Sequence, residues 1–172
     1  MVKSYLTSKA TIKESKTNGI GAFANEIIKK GEVVFIKGGY ILNRDEMFSE
    51  KLGDHYWPLS DEYVLAPKKD SILEEIEAIK LYVNHSCDPN CGIHGEITGI
   101  AIKDIKKGEE ITFDYAMLDN EDDESYNFEC TCGSTKCRHI ITGTDWKLKN
   151  LQQEYKNNFA LYLLDKIENN YE

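Results

Sequence analysis

The sequence predicts a mainly β domain closed by a C-terminal helical tail, and three observations carry that expectation. Residues 2–42 read as short β-prone runs broken by glycine: Ala10-Thr11-Ile12, Gly21-Ala22-Phe23 and Glu32-Val33-Val34-Phe35-Ile36. A strand-launching turn occurs twice, since Ile28-Lys29-Lys30-Gly31-Glu32-Val33-Val34 is echoed by Ile105-Lys106-Lys107-Gly108-Glu109-Glu110-Ile111. From Asp145 onward, Leu148, Leu151, Tyr155, Phe159, Tyr162, Leu163 and Ile167 recur at helical steps.

Between these markers the chain reads in order. A short helix is expected from Arg44 to Leu52, with Asn43 at its start and Gly53 at its end. Strands follow at His55–Leu59 and Glu62–Ala66, then one or two helical turns from Ile72 to Ile79, where Ile72, Ile76 and Ile79 share a face. Asp119-Asn120-Glu121-Asp122-Asp123-Glu124 predicts a solvated acidic loop, with attraction of a basic substrate as the second reading of the same run. Asn157-Asn158 divides the tail into two helices, which cover the core or dimerise.

Composition narrows the class. A chain of 172 residues holds one domain with a small appendage, and 41% apolar content with 10% aromatics argues for a packed core. No apolar run is long enough to span a bilayer, and Met1-Val2-Lys3-Ser4-Tyr5 lacks the apolar block of an export signal. The expectation is an intracellular protein of the cytoplasm or nucleus. Its five cysteines are then metal ligands or free thiols rather than disulfides. A net charge of −9 disfavours direct nucleic-acid binding and suits a basic protein partner.

Three motifs carry chemistry. Asn84-His85-Ser86-Cys87-Asp88-Pro89-Asn90 is followed by Gly108-Glu109-Glu110-Ile111-Thr112-Phe113-Asp114-Tyr115, and then by the spaced thiols Cys130, Cys132 and Cys137. Structural zinc takes four tetrahedral ligands, so three thiolates from one segment leave a vacancy. Free thiols and a redox switch are the alternatives. Gly19-Ile20-Gly21 is a weak signal alone, because no helix follows it to make a dinucleotide site. His85 and Cys87 are too close in sequence for the usual Cys/His hydrolase geometry.

In this order and spacing the motifs resemble the SET-domain family, which transfers methyl groups from S-adenosylmethionine to protein lysines. The resemblance runs from about Gly19 to Phe35 and from Tyr82 to Arg138. It implies a SET-type β-clip of small curved sheets with a pseudoknot, and it divides the chain into a SET domain (1–118), an acidic loop (119–127), a post-SET zinc segment (128–140) and a helical tail (141–172). By the same resemblance Gly19, Ile20 and Gly21 pass the methionine end of S-adenosylmethionine, while Asn84 and His85 meet its ribose and adenine side. Tyr115 matches the catalytic tyrosine, and Phe113 falls where members carry Phe or Tyr. Cys87 completes the zinc site with Cys130, Cys132 and Cys137; Cys91 is its competitor. The chain departs from the family at Lys37, where a tyrosine is usual, at Tyr40, where a glutamate is usual, and at Leu81, where an arginine is frequent. Tyr40 is nonetheless a candidate second aromatic for the substrate channel. The expected function is lysine N-methylation of a histone or other basic protein, with S-adenosylmethionine as co-substrate and structural Zn2+. The competing readings are a catalytically silent module that binds lysine peptides and a zinc-stabilised interaction protein.

Overall fold

Glycine-rich turns and short β-branched runs fold into thirteen short strands and four helices in a computed structural model that describes residues 1–49, 56–121 and 124–169. The strands β1 (Tyr5–Leu6), β2 (Ala10–Glu14), β3 (Ile20–Ala24), β4 (Val33–Ile36) and β5 (Tyr40–Asn43) lead to helix α1 (Arg44–Ser49). β6 (Trp57–Pro58) and β7 (Tyr63–Ala66) precede α2 (Leu73–Ile79). The central motifs form β8 (Asn84–His85), β9 (Cys91–His94), β10 (Thr98–Ala101) and β11 (Thr112–Phe113). β12 (Phe128–Glu129), β13 (Ile140–Ile141), α3 (Lys149–Tyr155) and α4 (Leu161–Glu168) complete the chain. No helix of the described residues is long and apolar enough to cross a membrane.

The largest sheet has the order β1-β4-β10-β9-β11-β8, and small sheets β2-β3, β5-β7-β6 and β12-β13 surround it. The echoed turns explain part of this curvature. Gly31 and Gly108 both sit at φ +89°, a left-handed conformation that glycine adopts without steric cost. Each turn is closed by its own glutamate: Lys29 N–H donates to Glu32 Oε1 (3.0 Å), and Lys106 N–H donates to Glu109 Oε2 (2.8 Å). The two copies then face one another, because Ile28 and Ile105 exchange backbone hydrogen bonds of 3.0 and 2.8 Å and are both fully buried. A sequence echo thus becomes a structural pair at the centre of the core.

Helix α1 starts where expected, with the Asn43 side chain accepting from Asp45 N–H at 3.0 Å and Glu46 N–H at 3.4 Å. Its expected end at Leu52–Gly53, and His55 of the next strand, lie outside the described residues. α2 forms where the helical turns are expected, with Ile72 as its N-cap residue, and Ile72 and Leu73 are 62% and 81% exposed. The tail behaves as read. α3 stops at Tyr155, a 3-10 turn spans Lys156–Asn158 with Lys156 at φ +49°, and α4 follows. Leu151, Tyr155, Phe159 and Leu163 are buried against Phe35, Ile93 and Met117, so this face covers the core.

Candidate active site and metal centre

The site grows from the pairing of two very short strands. β11 lies parallel to β8, with Thr112 opposite Asn84 and Phe113 opposite His85, and its other side pairs Phe113 with Cys91. This register brings the Asn84-His85-Ser86-Cys87 motif alongside the Phe113-Asp114-Tyr115 end. Just beyond, Asp114 caps a 3-10 turn, Tyr115–Met117, by accepting from Ala116 N–H at 3.0 Å.

Asn84 ties this centre to the glycine turn. Its Nδ2 donates to Asn18 O (3.2 Å), Ile20 O (3.2 Å) and Glu110 Oε1 (2.8 Å). A Cβ at Gly21 would meet the Glu110 carboxylate and lie 3.0 Å from Asn84 Nδ2, so any larger residue there would displace the side chains that join Asn84 to Glu110. His85 accepts Tyr115 N–H at Nδ1 (3.2 Å), which assigns the remaining ring proton to Nε2, 3.3 Å from Cys87 Sγ. Burial pushes its pKa down to about 4, against the pull of Asp114 and with Arg138 adding to the fall, so the ring is neutral at physiological pH.

Tyr115 stands between two cavities. Its ring packs on Phe113 (5.0 Å between centroids), His85 (5.3 Å) and Phe128 (5.9 Å), and its hydroxyl points to Val83 O at 3.5 Å. Burial, with the charge of Asp119 second, raises the phenol above its ordinary range, so it remains a hydrogen-bond donor rather than a base. On one side a cavity of about 410 Å³ is lined by Asn18, Asn84, His85, Phe128 and Thr131. On the other, a cavity of about 680 Å³ is lined by Lys37, Trp57, Phe113, Asp119 and Tyr126. Asn84 and Tyr115 border both.

The remaining candidates are placed as follows. Ile20 borders the larger cavity and not the smaller one; Gly19, at φ +48°, sits in the turn before β3, and Gly21 lies within β3, neither of them lining the smaller cavity. Tyr40 pairs with Ala66 across β5 and β7, holds Lys68 Nζ over its ring at 4.2 Å, and borders neither cavity. Lys37 does border the larger cavity; burial pushes its ammonium pKa down to about 8.

The four expected thiols converge. The sulfurs of Cys87, Cys130, Cys132 and Cys137 all lie within 4.8 Å of one another, with Cys87 and Cys130 at 3.9 Å. Tetrahedral zinc with Zn–S bonds of about 2.3 Å spaces its sulfurs about 3.8 Å apart, so this donor set fits the ion. Arg138 N–H points at Cys87 Sγ from 3.4 Å, the outer hydrogen bond that a metal-bound thiolate accepts. Cys91 does not compete: it is fully buried in β9, in the core of the main sheet.

One network was not read from the sequence. The fully buried Asp114 carboxylate accepts two hydrogen bonds from Arg138, at 2.6 and 2.8 Å, and one from the Tyr155 hydroxyl at 2.8 Å. Arg138 Nε also reaches Asp145 Oδ2 at 2.9 Å. One carboxylate between Phe113 and Tyr115 therefore braces the Tyr115–Met117 turn, the cysteine segment and the tail together. The available signal was an aspartate between two aromatic residues and an arginine directly after Cys137. Arg138→Met is expected to cost about 3–5 kcal/mol in chemical denaturation, because it strands a buried carboxylate rather than merely removing a bond.

Comparison with known proteins agrees with this geometry. The SET domain family model matches residues 19–116, more than half of the chain. Histone-lysine N-methyltransferase Set2 of Drosophila melanogaster is 30% identical over 144 residues, which cover 75% of this chain and 6% of that protein. The H3 lysine-4 specific histone-lysine N-methyltransferase of Schizosaccharomyces pombe is 34% identical over 143 residues, covering 74% of this chain and 14% of that protein. Histone-lysine N-methyltransferase Su(var)3-9 of Drosophila melanogaster is 28% identical over 154 residues, 75% of this chain and 24% of that protein. The chain thus spans less than a quarter of the length of each of these relatives. The matched region holds the glycine turn, the Asn84–Cys87 motif and Tyr115 that build the two-sided site, and the chain belongs to the SET domain family.

Proposed function

We propose that this domain is a protein-lysine N-methyltransferase that uses S-adenosylmethionine, and the observation that carries the reading is the pair of cavities meeting at Tyr115. The smaller cavity suits the co-substrate. Asn84, His85 and the backbone around Asn18 offer polar groups to a ribose and an amino acid end, and Phe128 offers an aromatic face to adenine. When bound there, S-adenosylmethionine supplies an electrophilic methyl group. The larger cavity, walled by Trp57, Phe113 and Tyr126, suits the apolar stem of a lysine with its amine directed at Tyr115.

The residues then have modest work. Freeing the proton of a lysine amine with pKa near 10.4 costs about 3 kcal/mol at pH 8. Holding amine and methyl carbon in line supplies about 7–11 kcal/mol, so positioning outweighs deprotonation and no strong base is required. The Tyr115 hydroxyl and the nearby Val83 carbonyl orient the amine; Asn84 and His85 hold the opposite wall. Cys87, Cys130, Cys132 and Cys137 hold Zn2+ as a structural ion, and Gly19, Ile20 and Gly21 reach the methionine end through Asn84, which borders both cavities and donates to Ile20 O at 3.2 Å.

The substrate is proposed to be a lysine-bearing basic protein, histones included, because net charge is −9 and Asp119 and Glu121 border the larger cavity. Neither nucleic acid nor membrane is part of the reading. A reducing compartment, cytoplasm or nucleus, suits four metal-ready thiols. Phe113 presents no hydroxyl to the lysine cavity and packs on Trp57 at 5.6 Å, which leaves an apolar space for added methyl groups. Labelled methyl transfer to mixed histones and a lysine-peptide library tests the activity, and mass spectrometry of exhaustively reacted product is expected to find di- or trimethyllysine. Only monomethyl product would contradict the role of Phe113. A silent lysine-binding module is favoured by Lys37 alone, and retention of lysine peptides without binding of S-adenosylmethionine would support it.

A further inference from the structure

The larger cavity is rich in aromatic side chains, and Asp119 is the buried carboxylate set among them. Asp119 follows the Tyr115–Met117 turn, and its N–H donates to Tyr115 O at 2.8 Å, which fixes it one turn beyond the tyrosine. Only 8% of the residue is exposed, yet it lines the cavity beside Tyr115, Trp57 and Phe113. The Tyr126 hydroxyl donates to its Oδ2. The neighbouring Arg44 guanidinium is engaged elsewhere, with Glu121 at 2.6 Å and Asn120 at 3.1 Å. A buried carboxylate whose hydrogen bond comes from a neutral phenol, with Glu121 opposing its charge and Arg44 only partly offsetting it, is costly to hold ionised, and an arriving cation relieves that cost.

We propose that Asp119 recognises the ammonium of the substrate lysine in this cavity, an inference that rests on the lysine reading above. The carboxylate places a buried negative charge beside Tyr115, Trp57 and Phe113, and it sets a preference for lysine over an uncharged chain of the same shape. Burial, with Glu121 second among the influences that raise it, pushes its carboxyl up to about 7, so the empty site tolerates a neutral acid while a bound ammonium holds it ionised. The other charged or titratable groups facing the cavity are Lys37 from beyond β4, Tyr56, Lys80, Tyr82, Glu121 and Tyr126. Of these Glu121 is committed to Arg44 and Lys80 to Glu77.

The test uses a lysine-centred peptide array and its norleucine-centred twin, probed with the wild-type protein and Asp119→Asn in saturating S-adenosylhomocysteine. Wild-type protein is expected to retain lysine peptides at least tenfold better than their twins, and Asp119→Asn to lose that preference with an unchanged melting temperature. Tyr126→Phe, which removes the hydroxyl but keeps the charge, is expected to retain it. Equal retention of both arrays by the wild type, no retention on either, or a preference that survives in a folded Asp119→Asn would overturn the proposal. Methyl transfer on the same arrays separates the two readings. Transfer with a preference indifferent to Asp119 removes only its role. A preference lost in Asp119→Asn without any transfer keeps Asp119 and removes the methyltransferase.

Discussion

Tyr115→Phe is expected to lower methyl transfer by about 10²–10³-fold, the usual cost of removing one positioned donor from a reacting centre, while leaving cofactor affinity within about twofold. The reason lies in what the change leaves alone. The ring contacts with Phe113, His85 and Phe128 all belong to the aromatic face and survive the loss of one oxygen. The hydroxyl's contact with Val83 O, at 3.5 Å, is too long to contribute much stability. Because burial raises the phenol above its usual range, no limb of the pH profile near neutrality is expected to belong to Tyr115. Transfer of labelled methyl groups, set beside a titration with S-adenosylhomocysteine, separates the two effects. Full activity in the variant would remove Tyr115 from its assigned role.

Removing the metal is expected to be the largest stability effect in the molecule. The β12–β13 segment has almost no core of its own: Cys87, Cys130 and Ile141 are buried there with Phe128 packed beside them. Zinc in short peptides contributes about 10–16 kcal/mol, far more than that cluster can. The consequence reaches beyond the segment, because Phe128, Cys130, Thr131 and Cys132 form one wall of the smaller cavity. Metal analysis of protein purified without chelator should find one zinc per chain. Chelation, or Cys137→Ser, should collapse cofactor affinity by more than tenfold together with stability, whereas Cys91→Ser should leave metal content unchanged. Zinc far below one per chain in an active protein would refute the site.

Much of this was legible because it is local. The paired turns are written in two matching segments, and each needs only its own glycine and glutamate to form. The split in the tail follows from Asn157-Asn158 breaking an otherwise regular apolar period. The four thiols illustrate a mixed case: spacing alone gives three of them, and only family resemblance selected Cys87 over Cys91. What could not be read depends on which distant groups the fold brings together. Asp119 opens an acidic run that composition reads as solvated, yet the turn after Tyr115 draws that one residue into the interior while Glu124 stays exposed. Tyr40 and Lys37 flank two glycines, and the chain's passage through Gly38 and Gly39, the latter at φ +145°, sends Lys37 to the cavity and Tyr40 to a different sheet. The Asp114–Arg138–Tyr155 brace joins segments with no sequence signal in common.

The placement of β11 bears on how the protein comes into being. A strand parallel to both neighbours cannot be delivered by a hairpin, and here its few pairings with Asn84, His85 and Cys91 offer little to offset the closure of long loops. It therefore has to settle along with the rest of the core rather than ahead of it. Asp114, the next residue, is held by a hydroxyl from Tyr155 far downstream. A chain still emerging from the ribosome thus carries the whole central motif before the last partner of Asp114 has been made.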